Sequence, residues 1–288
     1  MNSTRSHIGR RAALCGAGAA ALAAPSVYAA TPVTMGLTPV FLNSDIRLLA
    51  QLETYLARRL ERPVQLVQRR TYQEITALLI AGALDTAWIC GLPFVRNRER
   101  LRLTGVPVYR GSPTYRAYLI ARAGAPTKAI DELAGQVHAF SDPDSNSGFL
   151  VTRALLARQG RTPDSFFSKT FFTYGHRNVI RAVASGLAHS GSVDGYVWDV
   201  LAEIDPALTA PTRVLRVSEP LGFPPFAAPA QPRDMGVTRA FRAALVAMVD
   251  SEDGRAILAT LRLDGIMDAS PSMFDGIADL LREAERLG

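Results

Sequence analysis

Cysteine is nearly absent from this chain of 288 residues, with Cys15 and Cys90 the only two. Such a pair is no disulfide framework, so the fold must rest on its core. Histidine is sparse as well, and His138, His176 and His189 show no metal-ligand spacing. Metal-assisted hydrolysis is therefore left without ligands, and no metal or other cofactor is expected. No Gly-x-Ser-x-Gly elbow occurs, and no acid stands where it would orient a Ser–His pair. Both absences weigh against a hydrolase. Clustered positive charge is missing too. Arg96 to Arg102 is rich in arginine but contains Glu99, and reads as a solvated face. A formal charge of +6 without a basic cluster does not mark a nucleic-acid binder. Internal repeats, heptads and low-complexity tracts beyond the first thirty residues are lacking.

What is present begins with a targeting segment. Arg5, Arg10 and Arg11 give a positive start, and no acid precedes Asp45. Ala12 to Ala24 is apolar but shorter than the roughly 17–25 residues a spanning helix needs. Pro25 breaks the run, and Val27-Tyr28-Ala29 supplies small residues before a cleavage point. Residues 1–29 are therefore predicted to be a signal peptide and the mature chain periplasmic. The Arg10-Arg11 pair suggests the twin-arginine route, although Ala13 and Leu14 stand where bulkier residues are usual. Leu14 ahead of Cys15 argues against a lipoprotein site. Cleavage after Ala29 would leave 259 residues, a charge of +3 and the single cysteine Cys90. That length suffices for two lobes.

Strands and helices then alternate. Val33 to Leu37 reads as a strand, followed by a helix capped by Ser44 with Ile46, Leu49, Leu52, Leu56 and Leu60 inside, stopped by Pro63. Val64 to Val67 is a strand, and Thr71-Tyr72-Gln73-Glu74 is a capping box opening the next helix. Thr86 to Cys90, Val106 to Tyr109 and Tyr115 to Arg122 follow as strands. A second set comprises a short helix at Thr127 to Leu133, strands at Gln136 to Phe140, Thr170 to Thr173 and Ser192 to Trp198, and helices from Gly148, Pro163 and His176. Arg213 to Val217 is expected to rejoin the first set, and helices finish the chain. This order predicts α/β lobes with parallel sheets. Lobe one would hold residues 30–114 and 206–288, lobe two residues 115–205, with a two-strand hinge between them. Ligands of such sheets lie at the carboxyl ends of the strands. The turns at Thr38, Cys90-Gly91, Ser145 and Gly175-His176 share that edge.

The most informative of these turns is Asp142-Pro143-Asp144-Ser145-Asn146-Ser147-Gly148. It follows a buried strand and opens a helix. The first N–H groups of a helix have no internal partner and carry partial positive charge. Hydroxyls, an amide and a glycine at that point can hold an oxyanion without Lys or Arg. Taken alone, the same residues serve equally as an ordinary N-cap.

With these residues the chain resembles the periplasmic substrate-binding proteins of phosphate, phosphite and phosphonate ABC importers. The family shows a Ser-Thr-Ser-Gly-like turn where this chain has Ser145 to Gly148. Phe166-Phe167 ahead of Gly175-His176, the Ala182 to Gly186 run leading to Val193-Asp194, Tyr72, the Asp85 to Gly91 strand and Tyr115 continue the likeness. The resemblance covers nearly all of the chain after the leader. It implies the bilobed type II periplasmic-binding fold, a small oxyanion ligand, an inner-membrane ABC permease as partner, a monomer, and no catalysis. Asn146 replaces the usual Thr, Arg177 stands where an acid is common, and His189 where an Asp often follows the helix.

Ser145, Asn146, Ser147 and Gly148 are the expected anion contacts. His176 either donates to the anion or is a helix-start residue satisfied by its turn. Tyr115 supplies a hydroxyl or packs in the hinge. Thr38 and Tyr72 are candidates on the first lobe. Asp194 holds a cationic tail or caps a chain end. Cys90 is either a packed small residue or a thiol at the cleft. Arsenite-binding sensors in the same superfamily use a cysteine, so a ligand sensor for a membrane histidine kinase stands as the alternative function.

Overall fold

The computed structural model describes residues 31–39 and 46–287. The predicted leader and the Ser44 cap lie outside the described residues. The first strand, β1 (Val33–Leu37), is buried over most of its length. Helix α1 (Ile46–Leu60) buries Leu48, Leu52, Tyr55, Leu56 and Leu60, one helical stripe facing the sheet. Pro63 follows, and β2 (Val64–Gln68) runs parallel to β1. The capping box forms as predicted at α2 (Tyr72–Ile80). Thr71 Oγ1 accepts from Glu74 N–H at 3.2 Å, and the Glu74 carboxylate accepts from Thr71 N–H at 3.0 Å. Ile75 and Leu79 of this helix are fully buried, each worth about 1.5–3 kcal/mol of transfer free energy. Strand β3 (Thr86–Trp88), helix α3 (Gly91–Arg96) and strand β4 (Leu101–Val108) complete the first passage.

The chain then crosses over through β5 (Thr114–Tyr115) and builds β6 (Ala117–Arg122) and β7 (Val137–Phe140). A wide helical turn, Asn146–Leu150, runs straight into α4 (Val151–Ala157). Next come α5 (Pro163–Phe166), β8 (Lys169–Phe172), α6 (His176–Ala184), β9 (Ser190–Asp194), α7 (Gly195–Ile204), α8 (Pro206–Thr209) and β10 (Thr212–Val217). The return passes through β11 (Leu221–Gly222) to β12 (Phe226–Pro229), α9 (Met235–Val246), α10 (Glu252–Leu261), β13 (Gly265–Met267) and α11 (Asp275–Glu285).

Two sheets result. One has the order β13–β4–β12–β3–β1–β2, the other β10–β6–β9–β7–β8. The crossing segments pair with each other as the short antiparallel ribbon β5–β11, the two-strand hinge that the sequence implied. The α/β, two-sheet architecture is as expected, but the sheets are mixed rather than parallel: β12 runs antiparallel to β3 and β4, β13 to β4, and β6 to β9 and β10.

Ile46, expected inside α1, is 81% exposed, and two strands also differ from the sequence reading. Arg213 to Val217 does not rejoin the first sheet. As β10 it pairs antiparallel with β6, so the return crossing falls after Val217 rather than near Pro206. Strand β6 is buried almost throughout and would otherwise present an open edge. The strand expected to reach Trp198 ends at Asp194 instead. The Asp194 carboxylate accepts from Val197 N–H at 3.3 Å and starts α7 there, which carries Trp198 onto a helix.

Candidate functional site between the two sheets

The carboxyl end of β7 leads into the turn at Asp142 to Gly148. Ser145 Oγ accepts from Gly148 N–H at 2.9 Å, so Ser145 is the N-cap. Leu150 N–H then donates to Ser145 C=O at 3.0 Å, five residues back. The opening turn is thus widened to π geometry, a form that recurs at functional sites. Glycine is obligatory at 148. A Cβ there would lie 1.8 Å from Ser141 Oγ.

Asn146 and Ser147 are the outward-reaching members of the turn. Asn146 N–H donates to Cys90 Sγ at 3.2 Å, and Asn146 Nδ2 donates to Tyr115 Oη at 2.8 Å. Asn146 is fully buried and Ser147 is 1% exposed, yet among the described residues Asn146 Oδ1 has no protein partner, and Ser147 Oγ has no well-formed hydrogen bond, only a looser contact with the Tyr115 hydroxyl. Buried polar atoms left in this state are costly, and a ligand is the natural way to satisfy them. Ser147 also lines a cavity of about 380 Å³ bounded by α4, α11 and the return crossing at 216–221.

Tyr72 and His176, both buried, meet directly between the two sheets. Asp194 N–H donates to His176 Nδ1 at 3.1 Å, which fixes that nitrogen as an acceptor. Burial pushes His176 down to about 3, so the ring is neutral and its proton sits on Nε2. That proton is donated to Tyr72 Oη at 3.2 Å. Tyr72 therefore keeps its own hydroxyl proton for another acceptor. The same reasoning holds for Tyr115, whose oxygen already accepts from Asn146. Burial raises both phenols far above their usual range, and they stay protonated. His176 thus presents Tyr72 and has both ring nitrogens engaged.

The remaining candidates are close by. Burial pushes the Cys90 thiol up to about 12 against N–H bonds from Asn146 and Leu92, so Cys90 is an uncharged thiol inside the cluster. Asp194 is pushed up to about 8 by burial, despite N–H bonds from Val197 and Tyr196. Thr38 Oγ1 donates to Trp88 C=O at 3.0 Å at the end of β1. Gly148 contributes shape, since its N–H is spent on Ser145. Among the described residues the hydrogen-bond partners of this cluster include no Lys or Arg, so its donors are neutral. His138 does touch Ser190 and Ser192, at 2.7 and 2.9 Å, but it is fully buried and stacked on Phe167.

Asp142 Oδ2 accepts from Tyr72 N–H at 3.2 Å, tying the turn before α4 to the start of α2. Arg96 pairs with Asp144, and the Arg70 guanidinium lies 5.6 Å over the Tyr174 ring. Tyr174 holds a left-handed backbone at φ 54°, a conformation costing about 1–2 kcal/mol. The Asp-Pro-Asp run before the turn was the one available signal, and it does not say where its acids reach.

Two α/β sheets joined by a two-strand ribbon, with an anion-suited turn at the carboxyl edge of one, define a bilobed type II binding protein. The comparison with known sequences agrees. The family described as ABC transporter, phosphonate, periplasmic substrate-binding protein matches residues 35–274, and the chain belongs to that family. A curated relative, the phosphate-import protein PhnD of Mycolicibacterium smegmatis, is 27% identical over 176 residues. That match spans 55% of this chain and 54% of the relative, so the chain covers about half the length of that protein. Among solved structures, a binding-protein component of an ABC phosphonate transporter from Pseudomonas aeruginosa superposes with a TM-score of 0.81 at 16% identity, covering 89% of this chain and 87% of the other. PhnD1 from Prochlorococcus marinus in complex with methylphosphonate gives 0.79 at 17% identity, covering 88% and 98%. These two establish the fold.

Proposed function

We propose that this protein is an exported, monomeric, non-catalytic binding protein that takes a small phosphonate- or phosphate-like oxyanion between its lobes and delivers it to an ABC permease. Export would use the Arg-bearing leader at residues 1–29. The moving bodies would be residues 31–116 with 218–287, and residues 117–217, turning about the β5–β11 ribbon. The observation that carries this reading is the fully buried Asn146 Oδ1, without a protein partner among the described residues, beside the hydroxyls of Ser147 and Tyr115. Neutral donors pointed at one spot can hold an anion because they need no reorganisation when it arrives. Thr38 would close the first-lobe side. Calorimetry against phosphate, phosphite, methylphosphonate, aminoethylphosphonate and sulfate tests the reading; silence across the whole panel refutes it.

One observation supports a second reading, a ligand sensor for a membrane histidine kinase. Cys90 Sγ sits inside the cluster, 3.2 Å from Asn146 N. A thiophilic oxyacid such as arsenite could bond to it, releasing the thiol proton with one ligand hydroxyl as water. Arsenite affinity lost in Cys90→Ser favours this reading, and affinity unchanged in that variant removes it.

A further inference from the structure

The site offers more than donors. Asn146 Oδ1 is an acceptor. At the other end of the same amide Nδ2 donates to Tyr115 Oη at 2.8 Å, and Oδ1 has no protein partner among the described residues although Asn146 is fully buried. A fully ionised oxyanion has nothing to give this atom and would place a bare oxygen against it. The groups around Asn146 sharpen the point. Cys90 precedes α3, Tyr72 starts α2, Tyr115 ends β5, His176 starts α6, Asp142 lies in the turn itself and Asp194 ends β9. Of these, none carries positive charge at neutral pH, and Asp194 holds its proton up to about 8. His176 is neutral, Cys90 and both tyrosines keep their protons, and among the described residues no Lys or Arg is hydrogen-bonded to any of the six. Arg96, the nearby cation on α3, is occupied by Asp144. A dianion would thus enter a pocket with no cationic side chain to balance it, whereas a singly charged ligand bearing one hydroxyl matches both the charge and the lone acceptor.

We propose that the site selects its oxyanion in the singly protonated form, with the ligand's own hydroxyl donating to Asn146 Oδ1 and its bare oxygens accepting from Tyr72, Tyr115 and Ser147. This rests on the capture reading above and assigns the protonation state of what is captured. A site built to satisfy a ligand hydroxyl rejects an isostere lacking it, because the buried acceptor is then left alone.

Methylphosphonate and methanesulfonate test it. The two have the same shape and, at pH 6.5, share a singly charged form, but only methylphosphonate carries an O–H. Calorimetry at pH 6.5 is expected to show methanesulfonate binding about 10- to 100-fold more weakly, the cost of one unsatisfied buried acceptor. In Asn146→Thr, whose hydroxyl can turn and donate, that gap is expected to shrink. A pH series with methylphosphonate and with trifluoromethylphosphonate, whose second proton is more acidic, should show affinity falling at a midpoint that moves with the ligand. Equal affinity for the two isosteres, a gap unchanged in Asn146→Thr, or a pH midpoint identical for both phosphonates would each overturn the assignment. The last of these would point to Asp194 as the titrating group. If none of the ligands binds at any pH, the capture reading itself fails, and this inference with it.

Discussion

Replacing Gly148 with alanine places a methyl carbon 1.8 Å from Ser141 Oγ, 2.7 Å from Ser141 Cβ and 2.9 Å from Ser145 Oγ. Ser141 and Ser145 are both fully buried, so neither can step aside into solvent. The backbone of the turn must move, and overpacking of this kind costs about 1–3 kcal/mol. For a chain of this size that is a loss of about 2–12 °C in Tm. The displacement falls on Asn146 and Ser147, so the affinity for methylphosphonate should drop by at least about tenfold. Ser141→Gly removes both Ser141 atoms from the clash. Alone it deletes an unpartnered buried hydroxyl and adds glycine flexibility, two effects of about 1 kcal/mol and opposite sign. The double variant Gly148→Ala/Ser141→Gly should therefore recover most of the stability and affinity, with a coupling of about 1–2 kcal/mol. Urea unfolding and calorimetry on the four proteins read both quantities. A Gly148→Ala protein that melts and binds like the parent, or a double variant no better than Gly148→Ala, would refute the packing argument.

Three further outcomes are expected. Tyr72→Phe removes a donor and strands the His176 Nε2–H in a buried place, so methylphosphonate binding by calorimetry should weaken about 10- to 100-fold. Stability should peak near pH 6.5 in denaturant titrations. Below that pH the unfolded chain protonates His138 and His176, which stay neutral in the fold down to about 3; above it the folded chain holds the Asp194 proton up to about 8, while the unfolded chain has lost it. Unfolding therefore takes up protons on the acid side and releases one on the alkaline side, a slope of at most about 1.4 kcal/mol per pH unit per proton. Asp194→Asn should flatten the alkaline limb and steepen the acid limb between about pH 4 and 6.5, and an unaltered alkaline limb contradicts the assignment. Arg96→Ala breaks a pair that is 35% and 24% exposed, so thermal melts should move by no more than about 1 kcal/mol in stability; a larger loss would mean that this pair does more than an exposed bridge can.

Much of the architecture could be read ahead because local signals agreed with one another. Thr71 and Glu74 stand three apart, and that spacing alone dictates a reciprocal cap. The five buried positions of α1 repeat at helical spacing, and Pro63 marks the boundary. Topology was harder. Nothing in Arg213 to Val217 says which sheet it joins, because an edge strand is chosen by the partner that needs covering, here β6. Phe226–Pro229 slips in as an antiparallel strand between β3 and β4, and four residues ending in proline carry no periodicity to read. In the site, the residue types were legible and their relations were not. His176 could be placed at a helix start, but its tautomer depends on the Asp194 N–H, eighteen residues on. Asp142 bonds to Tyr72 N–H, seventy residues earlier, a contact that only the folded chain can show.

The most direct test of the central claim is a crystal structure of the protein with methylphosphonate. The ligand should lie between the two sheets, with its oxygens in hydrogen-bonding reach of Ser147 Oγ, Tyr72 Oη and Tyr115 Oη and one of them against Asn146 Oδ1. A ligand seated instead in the cavity between α4 and α11, with Asn146 Oδ1 and Ser147 Oγ still unsatisfied, would contradict it.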